Sequence, residues 1–196
     1  MTDRAHRTAL LAMDLQRDFL SPAGRLPIAE RQIAGVLAAA NLVLERCAAD
    51  GVPVIYIRNA FRPLDPSNLL RNRAAIAGTP GAALEPRVVQ VTPAKHLLKR
   101  RPDAFSNPAL GACLAESGAE ELLIAGVFAD ACVAATARSA LRRGFKVTLL
   151  TDAIGAASDA ARERAFASLG RSGAVTAPAA ELVAKADLTR RKLGGE

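Results

Sequence analysis

The spacing of apolar residues along this chain switches repeatedly between short continuous runs and a three-and-four repeat, which predicts strands and helices in turn. The first run, TALLAM over 8–13, reads as a buried strand ending at Asp14. After a loop marked by Pro22 and Gly24, apolar side chains recur from Ile28 at Ile33, Val36, Leu37, Ala40, Val43, Leu44 and Cys47, one face of a long helix. Gly51 closes that helix, and VPVIYI over 52–57 predicts a second strand.

The stretch 58–86 is rich in Arg, Asn, Pro and Gly and has little periodicity, although it admits a short helix around 69–77. A long irregular segment of this kind usually serves as a lid or substrate loop. A third strand over 94–98 delivers Lys99 at its end, and Ser106 or Asn107 caps a helix that has Pro108 at its first position and ends near Gly118. LLIAGV over 122–127 is the fourth strand, followed by an alanine-rich helix that Gly144 stops. A fifth strand over 146–151, a helix over 158–169 capped by Ser158, a short edge strand over 174–177 and a last helix over 179–186 complete the pattern. Strand and helix alternate six times, which predicts a three-layer α/β/α fold around a six-stranded, mostly parallel sheet.

At 196 residues the chain has the length of a single domain, 1–196, with a basic tail over 187–196. Its net charge is +7, yet it carries only six Phe, one Tyr and no Trp, and the tail has no aromatic residue, so a nucleic-acid surface with interleaved stacking residues is not expected. No apolar run approaches the roughly 20 residues that cross a bilayer. The N-terminal residues lack a signal-peptide pattern, so a cytoplasmic protein without a membrane partner is expected. Three cysteines, Cys47, Cys113 and Cys132, do not suggest a disulfide framework, and His6 and His96 have no metal-ligand spacing. No metal and no cofactor are expected.

Cys132 falls where the fourth strand hands over to its helix. The first turn of a helix leaves N–H groups unpaired and carries the positive end of the dipole, which stabilises a thiolate. An activated thiolate would react with iodoacetamide well below pH 8, whereas an inert core thiol would not. A lone cysteine is also an ordinary core residue. Two other strand ends carry Asp14 and Lys99, however, and in open parallel sheets the carboxyl ends of the strands form the ligand crevice. A carboxylate able to take and return a proton, an ammonium and a sulfur nucleophile together suit attack on a carbonyl.

These residues and their surroundings resemble the isochorismatase-like cysteine hydrolases over about residues 8–177. The resemblance lies in Asp14-Leu-Gln-Arg-Asp-Phe19, in Lys99-Arg-Arg-Pro-Asp-Ala-Phe105, in Gly126-Val-Phe-Ala-Asp-Ala-Cys-Val133, in Thr136-Ala-Arg-Ser-Ala140 and in Thr151-Asp-Ala153. It implies a catalytic triad of Asp14, Lys99 and Cys132. It also implies a cis peptide bond at Val127-Phe128 and an oxyanion hole from the N–H groups of Phe128 and Cys132. Where metal-dependent nicotinamidases of the family hold an aspartate and histidines, this chain reads Arg58-Asn-Ala-Phe-Arg-Pro63, and where threonine is frequent it has Ala129.

The resemblance therefore points to metal-independent C–N hydrolysis of a small amide, carbamoyl or ureido compound. The alternatives are vinyl ether hydrolysis of isochorismate and a catalytically silent interaction module. Family members are commonly homodimers or homotetramers. Arg58, Arg62 and Arg101 are candidates to pair with a substrate carboxylate, Arg138 lies beside the same motifs, and Phe19, Phe61 and Phe105 are candidates to line the pocket.

Overall fold

A computed structural model describes residues 7–182. Six strands form one sheet in the order β3-β2-β1-β4-β5-β6, and every neighbouring pair is parallel. They are β1 (Thr8–Met13), β2 (Val54–Asn59), β3 (Lys95–Lys99), β4 (Glu121–Val127), β5 (Lys146–Gly155) and β6 (Val175–Ala177). The helices are a single turn α1 (Arg17–Leu20), then α2 (Glu30–Ala49), α3 (Pro108–Glu116), α4 (Ala134–Arg142) and α5 (Asp159–Arg171). The predicted architecture is the one observed.

The central strands are apolar on both sides because both faces are covered. One core joins Leu10, Ala12, Val54 and Tyr56 to the α2 stripe Ile33, Val36, Leu37, Ala40, Val43, Leu44 and Cys47. The other joins Leu11, Met13, Ile55, Ile57 and Ile124 to Leu110 and Leu114 of α3, Ala137 of α4 and Leu169 of α5. By length and composition the 20-residue α2 meets the requirement for a membrane span, contrary to the expectation above, but half of it is buried inside the molecule, where its apolar stripe packs on the sheet.

Caps fall where side-chain chemistry places them: Asn107 accepts from the N–H of Ala109 and Ser158 from that of Ala161. β2 runs on to Asn59 and β3 to Lys99, past the expected ends, and the two residues face each other in the ladder. β5 is longer than expected, with a register shift opposite Ile124 and Gly126. No helix forms over 69–77. A 3-10 turn, Pro66–Asn68, capped by Asp65, is followed by tight turns in which Asn72, Arg73 and Ala75 take left-handed backbone. The last helix begins at Ala179. Its residues 183–186, the basic tail 187–196 and His6 lie outside the described residues.

Candidate active site

The sheet order reverses direction at β1 and β4, and the carboxyl ends of those two strands carry the site. Met13 and Gly126 lie side by side in the ladder. Gly126 has φ +127°, and a Cβ there would overlap the Met13 carbonyl, so only glycine lets the two strand ends approach this closely. The next residue of β1, Asp14, turns into left-handed backbone at φ +54° while its N–H still donates to Ile57 O at 2.7 Å. Its side chain is thereby turned out of the strand alternation. Beyond Gly126 the Val127–Phe128 peptide bond is cis, and a π-helical turn, Ala129–Val133, holds Cys132 before α4 begins.

Lys99 is the hub of the site. Its Nζ lies 2.8 Å from Asp14 Oδ2, 2.8 Å from Asn59 Oδ1 and 3.2 Å from Cys132 Sγ. The ammonium thus forms an ion pair with Asp14 and hydrogen-bonds to Asn59 and Cys132. Asp14 is 0% and Lys99 2% exposed, whereas Cys132 is half-buried, the least buried residue of the three. Both Asp14 carboxylate oxygens are buried without a hydrogen-bond donor of suitable geometry among the described residues, so Oδ2 meets Lys99 as an ion pair.

Two residues that the sequence reading did not single out complete the network. Asn59 Nδ2 lies 3.8 Å from Cys132 Sγ. Gln16 clamps the backbone of Asn59, accepting its N–H and donating to its carbonyl, each at 2.8 Å, and also donates to Ala82 O at 2.7 Å. Asp18, two residues further on, ties the irregular stretch over 58–86 to the loop between α1 and α2 by accepting from the N–H groups of Ala75 and Arg25. A Cβ on Gly81 would overlap that carboxylate. Asp14, Gln16 and Asp18 thus alternate along one short segment, the first in the charged cluster and the other two fastening its surroundings.

The electrostatics correct the expectation of a pre-formed thiolate. Burial pushes the Cys132 thiol from 9.0 up to about 12, with Asp14 adding to the rise and Lys99 opposing it. For Lys99, burial pushes the ammonium down, but Asp14 and then Cys132 more than offset this, and the net direction is up. Both directions favour the protonated forms, a thiol beside an ammonium, and the helix end alone does not ionise the sulfur.

The other candidates fall in several places. Phe19 is buried and meets Phe128 edge-to-face at 5.6 Å, so it supports the turn that carries Cys132. Phe61 is buried beneath the Arg71 guanidinium, 3.8 Å from its ring centre. Phe105 is half-buried against Phe145, with Arg143 at 4.5 Å. Arg62 and Arg101 are exposed. Arg58 alternates in β2 with Tyr56, on the face opposite Asn59, and its charge acts on His96. The strand parity therefore turns Arg58 away from the charged cluster. Arg138 donates to Ser168 of α5.

Among the described residues no three His, Cys, Asp or Glu side chains gather as a metal site. The stretch Arg58-Asn-Ala-Phe-Arg-Pro63 offers no carboxylate or imidazole, and Asn59 at the end of β2 presents its oxygen to the Lys99 ammonium. These residues do not fit a bound metal.

This is an α/β protein whose polar cluster lies at the carboxyl ends of its parallel strands. Residues 8–181 match the Isochorismatase domain, and the chain belongs to that family. It is 34% identical over 145 residues to a streptothricin hydrolase of Streptomyces noursei, covering 74% of this chain and 53% of that protein. The chain thus spans about half the length of this relative. Among solved structures, N-carbamoylsarcosine amidase from Thermoplasma acidophilum has a TM-score of 0.78 at 25% identity, with 88% of this chain and 96% of that one covered. Pyrazinamidase of Pyrococcus horikoshii, in complex with zinc, has a TM-score of 0.80 at 27% identity, covering 88% and 99%.

Proposed function

We propose that the protein is a metal-independent hydrolase that cleaves the C–N bond of a small amide, carbamoyl or ureido compound through a covalent intermediate on Cys132. The observation that carries this reading is the buried Lys99 ammonium in contact with both the Asp14 carboxylate and the sulfur of Cys132, the least buried residue of the three. The likeness to two amidases and a hydrolase by name supports the bond class.

The reaction runs in two halves. As Sγ attacks the carbonyl carbon, its proton passes to Asp14 and the carbonyl oxygen becomes an oxyanion, for which the N–H groups of Phe128 and Cys132 are the proposed donors. The C–N bond then breaks, and Asp14 returns the proton to the leaving nitrogen. In the second half, water gives a proton to Asp14 and its oxygen to the acyl carbon; the C–S bond breaks and the sulfur recovers the proton. Lys99 holds the anionic charge wherever it resides, on Asp14 in the resting state and on sulfur during attack. Because the resting thiol is neutral, proton transfer accompanies the attack.

A screen of small amides, ureas and carbamoyl acids for ammonia release tests this. Cys132→Ala should abolish turnover with the far-UV spectrum unchanged. Retained ammonia release would overturn the covalent mechanism, whereas no ammonia release from any compound together with Cys132-independent hydrolysis of isochorismate would favour vinyl ether chemistry.

A further inference from the structure

We propose that Asn59 is a positioning residue for the nucleophile: Lys99 fixes its carboxamide in one orientation, so that the NH₂ group donates to Cys132 Sγ and favours the thiolate. The proposal rests on the hydrolase reading above for its bearing on turnover.

The orientation follows from valence. An ammonium donates and cannot accept, so the amide atom 2.8 Å from Lys99 Nζ must be the oxygen. The nitrogen is then committed to the opposite side, where Sγ lies at 3.8 Å. Rotating the amide would set an N–H against the ammonium and an oxygen against the sulfur, two unfavourable contacts in place of two favourable ones. The origin of the side chain is equally fixed. Gln16 holds the Asn59 N–H and carbonyl, and the residue lies beside Lys99 in the β2–β3 ladder. At 3% exposure Asn59 has almost no access to competing water.

A donor aimed at sulfur interacts more strongly with a thiolate than with a thiol, because charge-assisted hydrogen bonds are about twice as strong as neutral ones. A neutral residue also matters here. A carboxylate of the same shape would keep the bond to Lys99 but present an acceptor to the sulfur and add a second negative charge beside Asp14. Asn59 thus retains the grip on the ammonium while supplying the opposite polarity to the nucleophile.

The test is the rate at which iodoacetamide modifies Cys132, measured by peptide mass spectrometry between pH 7 and 10 with Cys132→Ala as the blank. Two variants are compared with the wild type: Asn59→Asp, which replaces the donor by an acceptor, and Asn59→Leu, which removes polarity at similar size and serves if a buried acid does not fold. Both should be alkylated about tenfold or more slowly at each pH, the scale of a lost hydrogen bond to a charged group. If Asn59 only fills space, either substitution loosens the pocket and the sulfur reacts as fast or faster; that result overturns the proposal. Alkylation needs no substrate, so its outcome is separate from the reaction class. A turnover-competent Cys132→Ala would refute the covalent mechanism and leave the alkylation ratio to decide the role of Asn59.

Discussion

Removing the Lys99 ammonium is the sharpest perturbation the structure offers. Lys99→Met keeps most of the aliphatic stem but leaves the Asp14 carboxylate, 0% exposed, without the cation 2.8 Å away, and Asn59 Oδ1 without its donor. Breaking a buried ion pair by deleting one partner costs about 3–5 kcal/mol, because the remaining charge stays desolvated. That is a large part of the about 5–15 kcal/mol that stabilises a typical domain. Asp14→Asn alone strands the ammonium in the same way. The double variant removes both charges, so it should be less destabilised than the sum of the singles by at least about 2 kcal/mol, a coupling that a double-mutant cycle measures directly. The chain has no tryptophan, so urea unfolding at pH 7 is best followed by far-UV circular dichroism. A loss below about 1 kcal/mol in Lys99→Met, or a double variant equal to the sum of the singles, would refute the buried charge pair.

The sequence made the layers legible because burial on both faces writes continuous apolar runs into β1, β2, β4 and β5, and a one-sided helix writes its repeat into α2. Asp14, Lys99 and Cys132 were legible as chemistry-bearing residues at strand ends. Asn59 was not, because its role depends on pairing with a residue forty positions away, and the apolar run of β2 stops at Ile57 before the strand itself does. The ladder register carries that information, and local periodicity does not. Gln16 and Asp18 were hidden similarly: their partners are backbone groups of the irregular stretch at Ala82 and Ala75, of the loop before α2 at Arg25 and of the strand end at Asn59. The absent helix over 69–77 has a local cause, since a chain fastened by Asp18 and by the Phe61–Ile76 bridge is pulled into left-handed turns. The state of the thiol depends on burial and on Asp14, neither of which the position at a helix start records.

Gly126→Ala should lower stability by about 2–4 kcal/mol, since it combines a disfavoured positive φ with an overlap on the Met13 carbonyl; a thermal midpoint equal to that of the wild type would refute the close approach of β1 and β4. Alkaline pH should destabilise the fold over a defined window. Burial is the largest cause holding both Cys47 and Cys132 up at about 12 in the folded chain, against an ordinary value of 9.0, so between those values the unfolded chain releases these protons while the folded chain keeps them. Lys99, also shifted up, acts in the same direction above 10.5. The stabilisation from all three is therefore complete below about pH 9 and declines as pH climbs towards 12. The urea midpoint should fall steadily from pH 9 to 11, and fall less steeply in Cys47→Ala, because one of the groups that keeps its proton only in the folded chain is then gone. A flat midpoint across that interval would mean that the two thiols are not held in the low-dielectric surroundings the fold gives them.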